Sequence, residues 1–72
     1  MSRKADKTFV YKCVQHYLRQ GTRNPPPNAA RRWYFARHAA EAETVVFLAH
    51  VREMQDRAWG IAQYKLRKIR TC

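Results

Sequence analysis

The 72-residue chain predicts an all-α fold, a three-helix bundle or an elongated helical hairpin, with a proline-rich connector between the first two helices. Three observations point there. Apolar residues recur at helical spacing in three separate stretches, and no stretch shows the strict alternation of a half-buried strand. Pro25, Pro26 and Pro27 in succession forbid a helix between the first two stretches. A chain of this length, residues 1–72, makes a single helical domain.

The first helix is expected over about residues 6–20. Asp6 can accept a hydrogen bond from a free amide of the first turn, Gly21 suits the left-handed residue that ends helices, and Arg19 opposes the negative end of the dipole. Phe9, Val10, Cys13, Val14, Tyr17 and Leu18 then share one face. Tyr11, Lys12, Gln15 and Arg19 lie on the other, open to a partner.

Residues 21–28 form the connector, which three prolines predispose to an extended, polyproline-like course. Asn28 is the expected N-cap of a second helix over about residues 29–43. That helix has two apolar edges, Ala29, Trp33, Ala36 and Ala40 on one and Phe35, Ala39 and Ala42 on the other, which predicts a helix held between two surfaces. Neither Gly nor Pro interrupts residues 29–59, so one long helix is an alternative. Thr44 as a cap, followed by β-branched Val45 and Val46, favours a break there.

The third helix is expected over about residues 45–69. Its stripe comprises Phe47, Leu48, Val51, Met54, Ala58, Trp59, Ala62, Leu66 and Ile69, opposite Arg52, Glu53, Asp56, Arg57, Arg67 and Lys68. The rest of the chain is small to cover so long a stripe. Phe47, Val51, Met54, Trp59 and Leu66 are therefore expected to dock onto a partner, and Gly60 to mark a close approach of a neighbour.

Fifteen Lys and Arg against five Asp and Glu give a net charge of +10. Residues 1–40 hold nine of the cations against Asp6 alone, residues 60–72 hold four against none, and four acids lie between. Two basic ends flanking a mildly acidic stretch predict an acidic partner, either phosphate or protein. The longest apolar run, Thr44–Ala49, is far below the ~20 residues of a membrane span. Cys13 and Cys72 do not make the dense spacing of an oxidised scaffold, which predicts a reducing compartment. The first residues are basic and poor in acids, as in transit peptides, and lack the apolar core of a secretory signal.

Catalysis finds little support. Ser2 is the only serine, Glu41 and Glu43 are two apart and do not share a helical face, and there is no Gly-rich phosphate loop. Cys13 and His16, with His38 or His50, lack the four-ligand spacing of a structural metal site and read as a buried thiol beside a surface histidine. The expectation is a non-enzyme with no catalytic residue, metal or cofactor of its own. Residues 31–38, Arg-Arg-Trp-Tyr-Phe-Ala-Arg-His, mix cations with aromatics as base stacking and phosphate pairing require. With Trp33 in a core, the same arginines would instead rim a protein contact. Lys65, Arg67, Lys68 and Arg70 form a second basic cluster.

Val10-Tyr11-Lys12 in the first helix, then Arg31 to Arg37 after a proline-rich turn, then a third amphipathic helix, together resemble the LYR-motif family over about residues 8–70. Its members are small basic three-helix proteins of mitochondria, named for a Leu-Tyr-Arg or Leu-Tyr-Lys triplet; the aromatic second helix is most similar to the LYR accessory subunit of respiratory complex I. The resemblance implies a non-catalytic accessory subunit of a respiratory-chain complex, on the matrix side or matrix-facing on the inner membrane. It also implies an acidic acyl carrier protein as partner, whose acyl-phosphopantetheine enters between the helices, with Tyr11 and Lys12 facing that partner and Arg31, Arg32 and Arg37 as the electropositive patch. The alternative expectation is a small basic mitochondrial ribosomal protein whose Arg and Lys ends bind rRNA.

Overall fold

A computed structural model describes residues 4–70, which form α1 (Lys7–Gln20), α2 (Asn28–Arg37) and α3 (Val45–Arg70), with no strand among the described residues. The all-α class follows, with α1 packed along α3 and α2 laid against α1. Ser2 and Cys72, weighed above for chemistry, lie outside the described residues.

The first helix forms as its ends dictate. The Asp6 carboxylate accepts from the Phe9 amide at 3.1 Å, and Gly21, at φ 71°, donates its amide to the Tyr17 carbonyl at 2.8 Å. The Asp6 amide also points to Met54 Sδ at 3.3 Å, which ties the start of α1 to α3. Phe9, Val10, Cys13, Val14 and Tyr17 are buried and Leu18 is half-buried, so one face of α1 is core as its spacing predicts.

The connector departs from a straight polyproline course. The chain bends at residues 21–23 and again at 25, the Asn24–Pro25 peptide is cis, and Pro27 is buried. Burial of Pro27 also moves the helix start by one residue. Pro27, and not Asn28, is the N-cap: its carbonyl accepts from the Arg31 amide at 3.0 Å, and no side chain caps α2.

The second helix stops at Arg37 instead of running to residue 43. His38 leaves the helical region at φ −125° and ψ 41°, and its amide is shared between the Tyr34 and Phe35 carbonyls at 3.2 Å each. Residues 38–44 then turn, and Thr44 ends the turn by accepting from the Phe47 amide at 3.1 Å while donating to the Glu41 carbonyl at 2.9 Å. The break expected at Thr44 is there. Residues 36–42 contribute mostly alanine, too little apolar surface to hold a helix that local propensity alone sustains weakly. Turning early brings Phe47 back beneath Tyr34.

That return builds the core. Phe9 stacks on Tyr34 at 4.7 Å between ring centroids, Tyr34 stacks on Phe47 at 5.4 Å, and Phe35 meets Phe47 edge-on at 5.4 Å. Tyr34 is buried without an orphaned hydroxyl because its oxygen lies 3.1 Å from Nε2 of buried His50. The face of α2 differs accordingly from expectation. Ala30 and Tyr34 face inward, Ala29, Ala36, Ala39 and Ala40 are exposed, and Trp33 is only half-buried.

The stripe on α3 is largely satisfied within the chain. Phe47, Val51, Met54, Ala58 and Ala62 are at most 2% exposed, so Phe47, Val51 and Met54 are core residues and not the docking surface expected of them. Trp59 and Leu66 are half-buried, Trp59 edge-on to Tyr17 at 5.4 Å, while Leu48 and Ile69 are exposed. Packing of α1 covers what the sequence left open. A Cβ added at Gly60 would meet nothing within 4 Å, so no neighbour approaches closely there. Gly60→Ala should consequently stabilise the fold by about 0.5–1 kcal/mol through helix propensity. A rise in Tm of several degrees checks this, and a fall would show a constraint at residue 60 that the fold does not contain.

Candidate functional site

The structure sorts the basic side chains into separate places. A groove of about 490 Å³ runs between α1 and the start of α2, floored by Pro27 and Ala30 and walled by Tyr11, Lys12, Arg19 and Trp33. Helical spacing places Tyr11, Lys12 and Arg19 on the exposed face of α1, and packing of α2 sets Trp33 opposite them. Lys12 Nζ lies 4.9 Å from the Trp33 ring centre, and the Arg37 guanidinium lies 5.1 Å from it. Two cations on one half-buried indole make a cation–π platform, each contact contributing on the order of 0.5–1 kcal/mol. No acidic residue lines the groove.

His16 closes one end. Its Nε2 lies 2.8 Å from the Pro25 carbonyl, and since a carbonyl only accepts, Nε2 carries the proton in that bond. This holds the connector against α1. Among the described residues no cluster of three or more His, Cys, Asp or Glu is placed to hold a metal ion. Cys13 is fully buried, and burial pushes its thiol up to about 12 against a smaller opposing effect of Arg31. It is a packed thiol with almost no thiolate at neutral pH.

Of the partner-facing residues read from sequence, Tyr11, Lys12 and Arg19 come together, and Arg37 joins them through Trp33. Arg31 and Arg32 do not. They line a separate shallow depression with Asn28 and Phe35, where the Arg31 guanidinium lies 5.5 Å from the Phe35 ring. Tyr11 stands on the ridge between the first groove and a second, apolar one of about 320 Å³ between α1 and α3, edged by Lys7, Arg57 and Lys65. Trp33 is the site residue that sequence reasoning assigned to the core. The i,i+4 spacing of Trp33 and Arg37 was a usable signal for it, whereas the approach of Lys12 depends on how two helices pack.

Fold and site together define a small basic helical module carrying a cationic groove with one aromatic wall. No protein-family model, curated protein or solved structure matches the chain.

Proposed function

We propose that the protein is a non-catalytic accessory subunit of a large mitochondrial assembly, a respiratory-chain complex first, which receives an acidic partner protein in the α1–α2 groove. One observation carries the binding part of this reading: Lys12 and Arg37 both lie against the Trp33 ring, and Lys12, Arg19 and Trp33 line a groove that no carboxylate lines. Such a surface attracts an acidic protein, and an indole beside the cations offers the apolar anchor that hot spots use. The mitochondrial setting, and an acyl carrier protein as the partner, rest on the resemblance of Val10-Tyr11-Lys12 and of Arg31 to Arg37 to the LYR-motif family. No helix among the described residues is long and apolar enough to cross a membrane.

The test is copurification from mitochondria with tagged protein. Reversing Lys12 and Arg19 to Glu should weaken capture of the acidic partner by roughly a hundredfold or more, while Arg32→Glu, outside the groove, should change it little. Unchanged capture after the double reversal would remove the groove from the mechanism. A second reading draws on the Arg31–Phe35 contact, a cation beside an aromatic face that suits a nucleotide. Cosedimentation with ribosomes that ribonuclease abolishes would favour that reading, a ribosomal protein on rRNA.

A further inference from the structure

A polar recess of about 190 Å³ lies where the connector, the first turns of α2 and the middle of α3 meet, away from the α1–α2 groove. Arg23 from the connector, Arg31 from α2 and Arg52 from α3 all line it, and Asp56 is the only acid among its lining residues. Arg23 pairs with Asp56, and neither Arg31 nor Arg52 has an ion pair among the described residues. Two of the three arginines thus line the recess without an ion pair of their own.

Two further observations mark the same place. Arg31 Nε is buried with no hydrogen-bond partner, a donor left orphaned at a cost. Tyr17 is 2% exposed, lines the recess, and its hydroxyl has no hydrogen-bond partner among the described residues. Burial raises the Tyr17 phenol above its ordinary 10.0, and Cys13 and Asp56 push the same way against Arg23 and Arg31, so the hydroxyl stays protonated and can donate. The amides of Asn24 and Gln55 complete a wall rich in donors.

We propose that this recess binds a phosphoryl group, as inorganic phosphate or as the terminal phosphate of a small monoester. Size agrees, since the volume is that of about six waters at ~30 Å³ each and admits a tetrahedral oxyanion with some of its hydration. Geometry agrees as well. Guanidinium groups from three separate segments surround a compact anion better than they follow an extended strand, and forked donors suit phosphate oxygens. An anion there would also pair with Arg31 and Arg52 and join α2 to α3, which stabilises the fold by mass action.

The experiment is a titration of the full chain with phosphate at ionic strength held constant with chloride, read by Tm and by the Arg Nε–H resonances. At ten times the dissociation constant Tm should rise by roughly 5 °C or more, with saturation and a shift of the Arg31 Nε–H signal. Arg52→Gln, at an exposed position, should weaken binding roughly tenfold, and Tyr17→Phe should weaken it without loss of fold. Lys65→Gln, an equal loss of charge elsewhere on α3, should leave it nearly unchanged. Glycerol phosphate binding as tightly as phosphate assigns the recess to monoesters, and binding of phosphate alone assigns it to the free ion. A response no larger than that to chloride, or equal weakening by Arg52→Gln and Lys65→Gln, overturns the proposal. So does an equal response to dimethyl phosphate, which would make the recess a contact for nucleic-acid diesters. Arg52→Gln leaves the α1–α2 groove intact, so this outcome is independent of partner capture there.

Discussion

Phe47→Ala is expected to unfold the chain at ambient temperature. Phe47 is fully buried, and its ring meets Tyr34, Phe35 and His38 at centroid distances between 5.4 and 5.6 Å, so truncation empties the point where α2 and α3 join. Removing a buried phenylalanine costs about 3–5 kcal/mol. A core of this size supplies roughly the same. Far-UV circular dichroism should therefore show loss of cooperative melting, whereas Val46→Ala, one position earlier and 71% exposed, should stay within about 0.5 kcal/mol of the parent. The pair also separates two roles for the α3 stripe. Were Phe47 a docking residue, its alanine variant would fold normally and lose only a partner.

Stability should also fall steeply on the alkaline side, between about pH 9 and 12. The Cys13 thiol is ordinarily near 9.0 and is pushed up to about 12 in the fold, because burial penalises the thiolate. Between these values the unfolded chain has released the proton and the folded chain still holds it. The unfolded state then binds fewer protons, and stability declines as pH rises. Three pH units correspond to about 4 kcal/mol, which approaches the whole stability of so small a core. Tyr17, raised above its ordinary 10.0 chiefly by burial, adds a loss of the same sign above that pH. Below pH 9 neither group contributes a slope. Denaturant melts of Cys13→Ala across this range should show a much shallower decline than the parent, and matching slopes would mean that the buried thiol does not govern alkaline unfolding.

Much of the fold was legible locally. Asp6 and Gly21 bound α1 as their side chain and backbone freedom require, and the spacing from Phe9 to Tyr17 marked its buried face. Thr44 set the start of α3 through two hydrogen bonds within three residues of itself. These are short-range effects, and residue types at fixed offsets report them directly. The stripe on α3 was legible as apolar, but apolar spacing does not say whether the cover comes from the same chain. Here it does, for Phe47, Val51 and Met54.

The α2 segment shows what spacing could not reveal. Its two candidate edges were drawn from alanines and Trp33, yet the helix turns Ala30 and Tyr34 inward, because burial of Pro27 sets the entry of α2 and His50 from α3 satisfies the Tyr34 hydroxyl. A polar-tipped aromatic is read as a surface residue until its partner is known, and that partner lies 16 residues away. The candidate sites follow the same division. The exposed face of Tyr11, Lys12 and Arg19 was set by the sequence of one helix, since Arg19 follows Lys12 by seven residues, two turns, and Tyr11 adjoins Lys12. Placing Trp33 across from them, sending Arg31 and Arg32 elsewhere, and gathering Arg23, Arg31 and Arg52 around one recess were decided by tertiary packing, because each brings together side chains whose separation depends on where whole helices lie.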